Sequence, residues 1–322
     1  MITLIGGSGF VGTRLSQRLV ANGVLEFNII DKVLSGKFSD QTRVADITHL
    51  DQLKSAVPQD SIIVNLAAEH RDDVTPLSLY HDVNVQGAIN ICIVAREKKV
   101  KTLIFTSSVA VYGFAPLGTN EAGLISPFNE YGRTKYEAEN VYKAWQAEQP
   151  TERTLVIIRP TVIFGEDNRG NVYNLLRQIS SGFFIMIGNG YNRKSMAYVE
   201  NVAAYLQYAI TSYSPGLHIF NYIDKPDLTM NELVYMVRDA IGVHKKIRFR
   251  LPYVIAYIIA KVFDFVASIS GKKFSISSIR VKKFHINSVY DSKLYQGEFV
   301  PPIPLNEALV KTVRHEFVDF HN

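Results

Sequence analysis

The chain has 322 residues, 47% of them hydrophobic and 20% charged, with a formal net charge of +5. That length and composition suit a soluble protein with a large core, in one large or two intimate domains. Its single cysteine, Cys92, rules out an intramolecular disulfide, so a reducing cytoplasm is the expected compartment and a buried, inert thiol the expected role.

The first residues, Ile2–Ile5, read as a core strand running straight into glycines, not as the basic and apolar stretch of a secretory signal. The glycine run Gly6-Gly7-Ser8-Gly9-Phe10-Val11-Gly12 opens a helical pattern over Phe10–Ala21. Glycines at that spacing let backbone turn tightly and approach a pyrophosphate, whose charge a helix N-terminus stabilises. A second strand over 27–30 ends at Asp31, nineteen residues after Gly12, where a carboxylate can accept hydrogen bonds from ribose hydroxyls and repel a 2′-phosphate. The cofactor so implied is NAD rather than NADP, with Lys32 as the one dissenting neighbour. After a third strand, Asp46 and Ile47 stand where a carboxylate could meet the adenine amino group or cap a helix.

Further strand-like runs over 62–66, 102–105 and 155–158 alternate with helical spacing over 77–97 and 131–149. Such βα repetition builds a parallel, doubly wound sheet with right-handed crossovers and a ligand at the carboxyl ends of its strands. Tyr131 and Lys135 are four apart and therefore share one helix face. A phenol ionises near pH 10, so a tyrosine that moves protons at neutral pH needs a neighbouring cation.

After Pro160 the alternation weakens among Gly165, Gly170, Gly182, Gly188 and Gly190. Residues 1–165 are assigned to the cofactor domain, 166–322 to a smaller α/β substrate lobe, and 196–224 to a return to the first domain. The stretch 251–269 is almost wholly apolar, but Lys261 and Asp264 interrupt it short of the about 20 residues of a span. A buried helix of the second domain is expected there, and an interfacial helix with basic flanks is the alternative. Between Phe265 and Tyr290 stand Lys272, Lys273, Arg280, Lys282 and Lys283 with no acid. Without a recognisable binding module this basic stretch does not point to nucleic acid. It leaves room for an anionic small ligand or peripheral contact with a membrane.

The chain resembles the extended short-chain dehydrogenase/reductase family along essentially its full length. The resemblance is carried by Asn65, Leu66, Ala67 and Ala68, by Asn84, and by the strand end Ser107-Ser108-Val109-Ala110-Val111-Tyr112-Gly113. It continues through Tyr131 with Lys135, Arg159-Pro160 and Tyr198-Val199. It implies a Rossmann domain on which Gly6, Gly9, Phe10, Val11, Gly12, Asp31, Asp46, Ile47, Leu66, Ala67, Ala68 and Asn84 hold NAD together with Tyr131 and Lys135. It further implies Tyr131 as general acid/base, Lys135 as its electrostatic partner and Ser108 as the hydroxyl that orients the substrate oxygen; no metal is expected. Extended members mostly act on nucleotide sugars, and Asn171, Arg193, Lys194 and Arg280 are the candidates for a UDP-sugar, in a chain expected to be a homodimer.

Dehydratases of the family carry acids just after the catalytic hydroxyl, where this chain has Val109 and Ala110. That leaves 4-epimerisation or net oxidoreduction at C4, and several stretches resemble enzymes that act on UDP-N-acetyl amino sugars for surface polysaccharide. A hydroxysteroid-dehydrogenase-like enzyme and a catalytically silent NAD-binding regulator are the alternatives; the presence of both Tyr131 and Lys135 argues against the second.

Overall fold

The computed structural model describes residues 1–71, 74–243, 249–270 and 277–319, so Lys272 and Lys273 of the basic stretch lie outside the described residues. The chain divides into two compact units. Unit 1 comprises Met1–Ile163, Ala197–Asp224 and Tyr290–Ile303, and unit 2 comprises Phe164–Met196, Lys225–Val289 and Pro304–Asn322. The last return to unit 1, Tyr290–Ile303, has no counterpart in the sequence assignment, which leaves it with the lobe.

Unit 1 begins with β1 (Ile2–Ile5), α1 (Phe10–Ala21), β2 (Phe27–Asp31), β3 (Thr42–Val44), α2 (Leu50–Ala56), β4 (Ile62–Asn65) and α3 (Ser78–His81). A π-helical turn, Asp82–Gln86, leads into α4 (Gly87–Glu97), followed by β5 (Thr102–Thr106), α5 (Glu130–Ala147) and β6 (Thr154–Pro160). Next comes β7 (Val162–Phe164), and after unit 2's first segment the chain returns as α7 (Val199–Ser212) and β10 (Gly216–Tyr222). The sheet runs β10-β6-β5-β4-β1-β2-β3, parallel throughout.

Alternation along these strands sends Ile5, Ile30, Ile63, Phe105 and Ile157 to the face covered by α2, α4 and α5. Leu4, Ile29, Val64, Ile104 and Ile158 point to the face covered by α1 and α7. Cys92 is buried in the first of these layers, and burial pushes its thiol up to about 12, so it stays protonated and inert. Strand order reverses between β1 and β4, which opens a crevice at their carboxyl ends.

Unit 2 holds α6 (Asn171–Ser180), β8 (Met186–Ile187), β9 (Arg193–Tyr198, whose last two residues pass into unit 1), β11 (Asp224–Thr229) and α8 (Met230–Ala240). It continues with β12 (Arg250–Leu251), α9 (Tyr253–Ser270), α10 (Ser278–His285) and α11 (Leu305–Phe317). Helix α8 opens on a reciprocal cap: Thr229 accepts from the Glu232 amide while the Glu232 carboxylate accepts from the Thr229 amide. Helices α6, α8 and α11 pack on one another.

The apolar stretch expected as a buried helix is a correction. It forms α9, which packs chiefly on α10, with Ile187 and Leu251 beside the same cluster, and Ala256 and Ala260 are its buried residues. A helix of 8 residues can cover one side of a helix of 18, and the other sides stay in solvent.

Candidate active site

The glycine loop sits at the crevice between β1 and β4. Gly6 has φ +76°, and a Cβ there would lie 2.5 Å from the Ala67 amide nitrogen; one at Gly12 would lie 2.5 Å from the Gly7 backbone. These are positions where any side chain would close the loop. Helix α1 starts at Phe10 with Gly9 as its cap residue, no side-chain cap and no acid in its first turn. Its first amides, at Phe10, Val11 and Gly12, therefore have the arrangement that could cradle a diphosphate. Asp31, at the end of β2, accepts from the Ser8 amide at 3.0 Å and the Val33 amide at 3.1 Å, one per carboxylate oxygen. Each oxygen keeps a lone pair for a ribose hydroxyl.

The far end of the crevice is organised by asparagines. Asn65 accepts from the Ala67 amide and donates to Tyr142, which fixes the course of Leu66, Ala67 and Ala68. Asn84, buried in the π-helical turn, accepts from the Glu69 amide and donates to the Glu69 carbonyl and the Thr134 hydroxyl. Its amide is spent within the protein, on the loop at Glu69 and on α5. Asp46 accepts from the Thr48 amide and hydroxyl, both at 2.8 Å. Partial burial raises its carboxyl pKa, but those bonds and the charges of His49 and Lys32 outweigh it and leave it below the usual value. Ile47 turns its side chain into the core, where it fills the space over Gly87, and its carbonyl accepts from the Asn90 side-chain amide at 2.8 Å.

At the carboxyl end of β5, Ser108 caps the short 3-10 turn Val109–Tyr112 by accepting from the Ala110 amide at 3.1 Å. Tyr131 lies one residue into α5, whose cap is Asn129, and its phenol is neighboured by Ser108. Burial pushes that phenol up to about 12, against the lowering influence of the Ser108 hydroxyl. Lys135 is buried, donates to the Thr106 carbonyl at 2.7 Å and lies 4.7 Å from the Phe105 ring centre. Burial brings its ammonium down to about 7, opposed by the charge of Glu139. Burial thus disfavours the charged form of both groups, the phenolate and the ammonium.

Behind this edge lies a polar network that the sequence reading does not contain. Ser107 donates to Glu139 at 2.6 Å, and Arg159 grips the same carboxylate twice, at 2.8 and 2.6 Å. Arg159 also donates to Tyr112 at 2.6 Å, and Tyr112 donates to Asn221 at 2.8 Å. Arg159-Pro160 carries part of the family resemblance, but the partners of Arg159 lie elsewhere in the chain, and Ser107 spends its hydroxyl on Glu139.

The substrate candidates lie in unit 2. Asn171 is exposed as the first residue of α6, Arg193 is exposed on β9, and Arg280 is exposed in the first turn of α10. Lys194 differs: its ammonium donates to the Lys283 and Ile286 carbonyls and the Ser288 hydroxyl, and burial lowers it to about 8. With its donors so engaged, it ties β9 to the end of α10 instead of reaching toward a phosphate.

Residues 2–222 match the model of the NAD dependent epimerase/dehydratase family. The chain belongs to that family. It is an NAD-dependent enzyme of the sugar-epimerase type within the extended short-chain dehydrogenase/reductases. It is 46% identical over 98% of its length, and 95% of the relative's, to the N-acetyl-alpha-D-glucosaminyl-diphospho-ditrans,octacis-undecaprenol 4-epimerase of Escherichia coli O157:H7. It is 28% identical to the UDP-glucose 4-epimerase of Vibrio cholerae over 72% of this chain and 73% of that one. The crystal structure of a UDP-glucose 4-epimerase from Thermotoga maritima shares the fold, with a TM-score of 0.75, 19% identity and coverage of 98% and 97%.

Proposed function

We propose that the chain inverts C4 of an N-acetylhexosamine carried on a diphosphate, and that the carrier is a polyprenyl alcohol. One observation carries this reading: the likeness to the lipid-linked sugar epimerase is 46% over 98% of the chain, against 28% over 72% for the UDP-glucose enzyme. The commitment of the Lys194 ammonium to unit 2's own oxygens supports it, because one of the four residues expected to hold a UDP-sugar is thereby withdrawn. A UDP-N-acetylhexosamine is the second reading, favoured by the likeness to the UDP-sugar enzyme.

The glycine loop, the start of α1 and Asp31 would hold NAD, which when bound would supply a hydride acceptor and donor at C4. Tyr131 takes the C4 hydroxyl proton during oxidation and returns it during reduction, while Ser108, beside the phenol, orients the same oxygen. Lys135 supplies the positive charge that makes the phenolate accessible. Inversion requires the keto sugar to present its other face before reduction, which a sugar tethered by a distant diphosphate can do. Loss of water is disfavoured because Val109, packed against Val111, Tyr112, Ile223 and Tyr290, stands where an elimination would want an acid.

The test is to give the purified protein detergent-dispersed N-acetylglucosaminyl-diphospho-undecaprenol and, separately, UDP-N-acetylglucosamine. Conversion of the lipid-linked sugar to its C4 epimer should be at least tenfold more efficient in kcat/KM, with no net NADH formed. The reverse ratio would hand the reading to the UDP-sugar.

A further inference from the structure

Helix α9 has two unlike sides. Tyr253, Ala256, Tyr257 and Ala260 recur at helical spacing and pack on Val281 of α10, with Ala260 fully buried. Asp264 continues that side, its carboxylate accepting from the Ser278 amide at 3.2 and 3.3 Å at the start of α10. The other side is a continuous stripe of Ile255, Ile258, Val262, Phe265 and Ile269, between 48% and 72% exposed. Phe249, just before the strand that leads into α9, is 69% exposed as well. Unbroken exposed apolar surface on this scale marks a site of association.

We propose that α9 lies in the plane of an anionic membrane surface, its stripe among the acyl chains and the basic residues of α10 at the headgroups. Length and composition would allow a span, but packing opposes it, since a span would strip Ala256 and Ala260 from α10. Charge selects the occupant. Helix α10, packed along α9, carries Arg280, Lys282, Lys283 and His285 and no acid, and the carboxylate of Asp264 is turned to α10's own backbone. An apolar stripe beside a basic helix is the pattern of an interfacial anchor on anionic lipid. The choice of a bilayer over a protein partner also rests on the reading of a polyprenyl-linked substrate, whose lipid tail resides in that bilayer.

The experiment is flotation of the full chain with vesicles of phosphatidylglycerol and phosphatidylethanolamine, and with vesicles of phosphatidylcholine alone. The bound fraction should be at least tenfold higher on the anionic vesicles and should fall as salt is raised. The double variant Ile258→Glu/Phe265→Glu should lose at least tenfold of that binding while keeping its thermal midpoint and its turnover of detergent-dispersed substrate. Should that variant fail to fold, Phe265→Trp decides: brominated lipid quenches the new indole if the stripe is inserted and leaves it unchanged if it is not, the chain's own Trp145 being buried. Absence of wild-type binding, equal binding by the folded double variant, or a wild-type dimer that the double variant dissociates would overturn the proposal. Flotation without turnover of the lipid-linked sugar removes the substrate reading and keeps the surface; turnover without flotation does the reverse.

Discussion

Helices α5 and α9 each have 18 residues and opposite relations between composition and burial. Helix α5 is polar by sequence, yet it buries Thr134, Lys135, Glu139 and Gln146; α9 is apolar by sequence, yet exposes most of its surface. In α5 the buried polar groups are partnered: Lys135 by a carbonyl, Glu139 by Ser107 and Arg159. Burying such groups costs several kcal/mol each unless they are satisfied, so their presence marks a site that needs a proton-moving pair held rigid in low dielectric. An uncovered apolar face is costly in the opposite way, and it marks a surface completed by something outside the chain.

The sharpest break of this contrast is Tyr131→Phe, which deletes one hydroxyl at the start of α5. Turnover should fall about 10²–10⁴-fold with NAD binding and the melting temperature retained; activity within a few-fold of wild type would remove Tyr131 from its role. Arg159→Leu should cost about 3–5 kcal/mol in denaturant unfolding, because Glu139 is left charged in the core beside α5. A loss below about 1 kcal/mol would mean that the network is not maintained in solution.

The pH dependence of Lys135→Met tests the pairing itself. In the variant burial still holds the phenol above its ordinary value, so each pH unit gained toward 10 multiplies the phenolate about tenfold, and the residual rate should climb accordingly. Wild type should instead level off once the coupled pair has lost its first proton. Parallel profiles for the two proteins would show that Lys135 does not tune the phenol. The smallest expected effect is on α9: Val262→Gln should change folding stability by no more than about 0.5 kcal/mol, since the side chain is already in solvent.

The glycine loop and Asp31 could be read as candidates from local spacing at strand ends, whereas Ser108, Tyr131 and Lys135 became candidates through the family resemblance. The parallel sheet was legible from local spacing too, its strands being short apolar runs between helical ones. The Glu139 network was not: Tyr112 and its partner Asn221 stand 109 residues apart, and no local pattern joins them. Lys194 misled because a lysine caged by carbonyls and one facing solvent look alike in a sequence. Helix α9 misled because hydrophobicity reports what a segment avoids and not which neighbour covers it. The covering neighbour here is a helix of 8 residues, too short to shield 18.

Strand β6 is buried along its whole length, and one of its edges is closed by β10, in register from Thr154 with Gly216 to Pro160 with Tyr222. Between them in the chain lies the first segment of unit 2. On a ribosome adding about 5–20 residues per second, β6 is made several seconds before the strand that seals it. During that interval a run of Leu155, Val156, Ile157 and Ile158 has open backbone donors and acceptors, the arrangement most prone to pair with another nascent chain. Slowed translation between Pro160 and Gly216 should therefore lower the soluble yield of this protein more than the same delay placed after Tyr222.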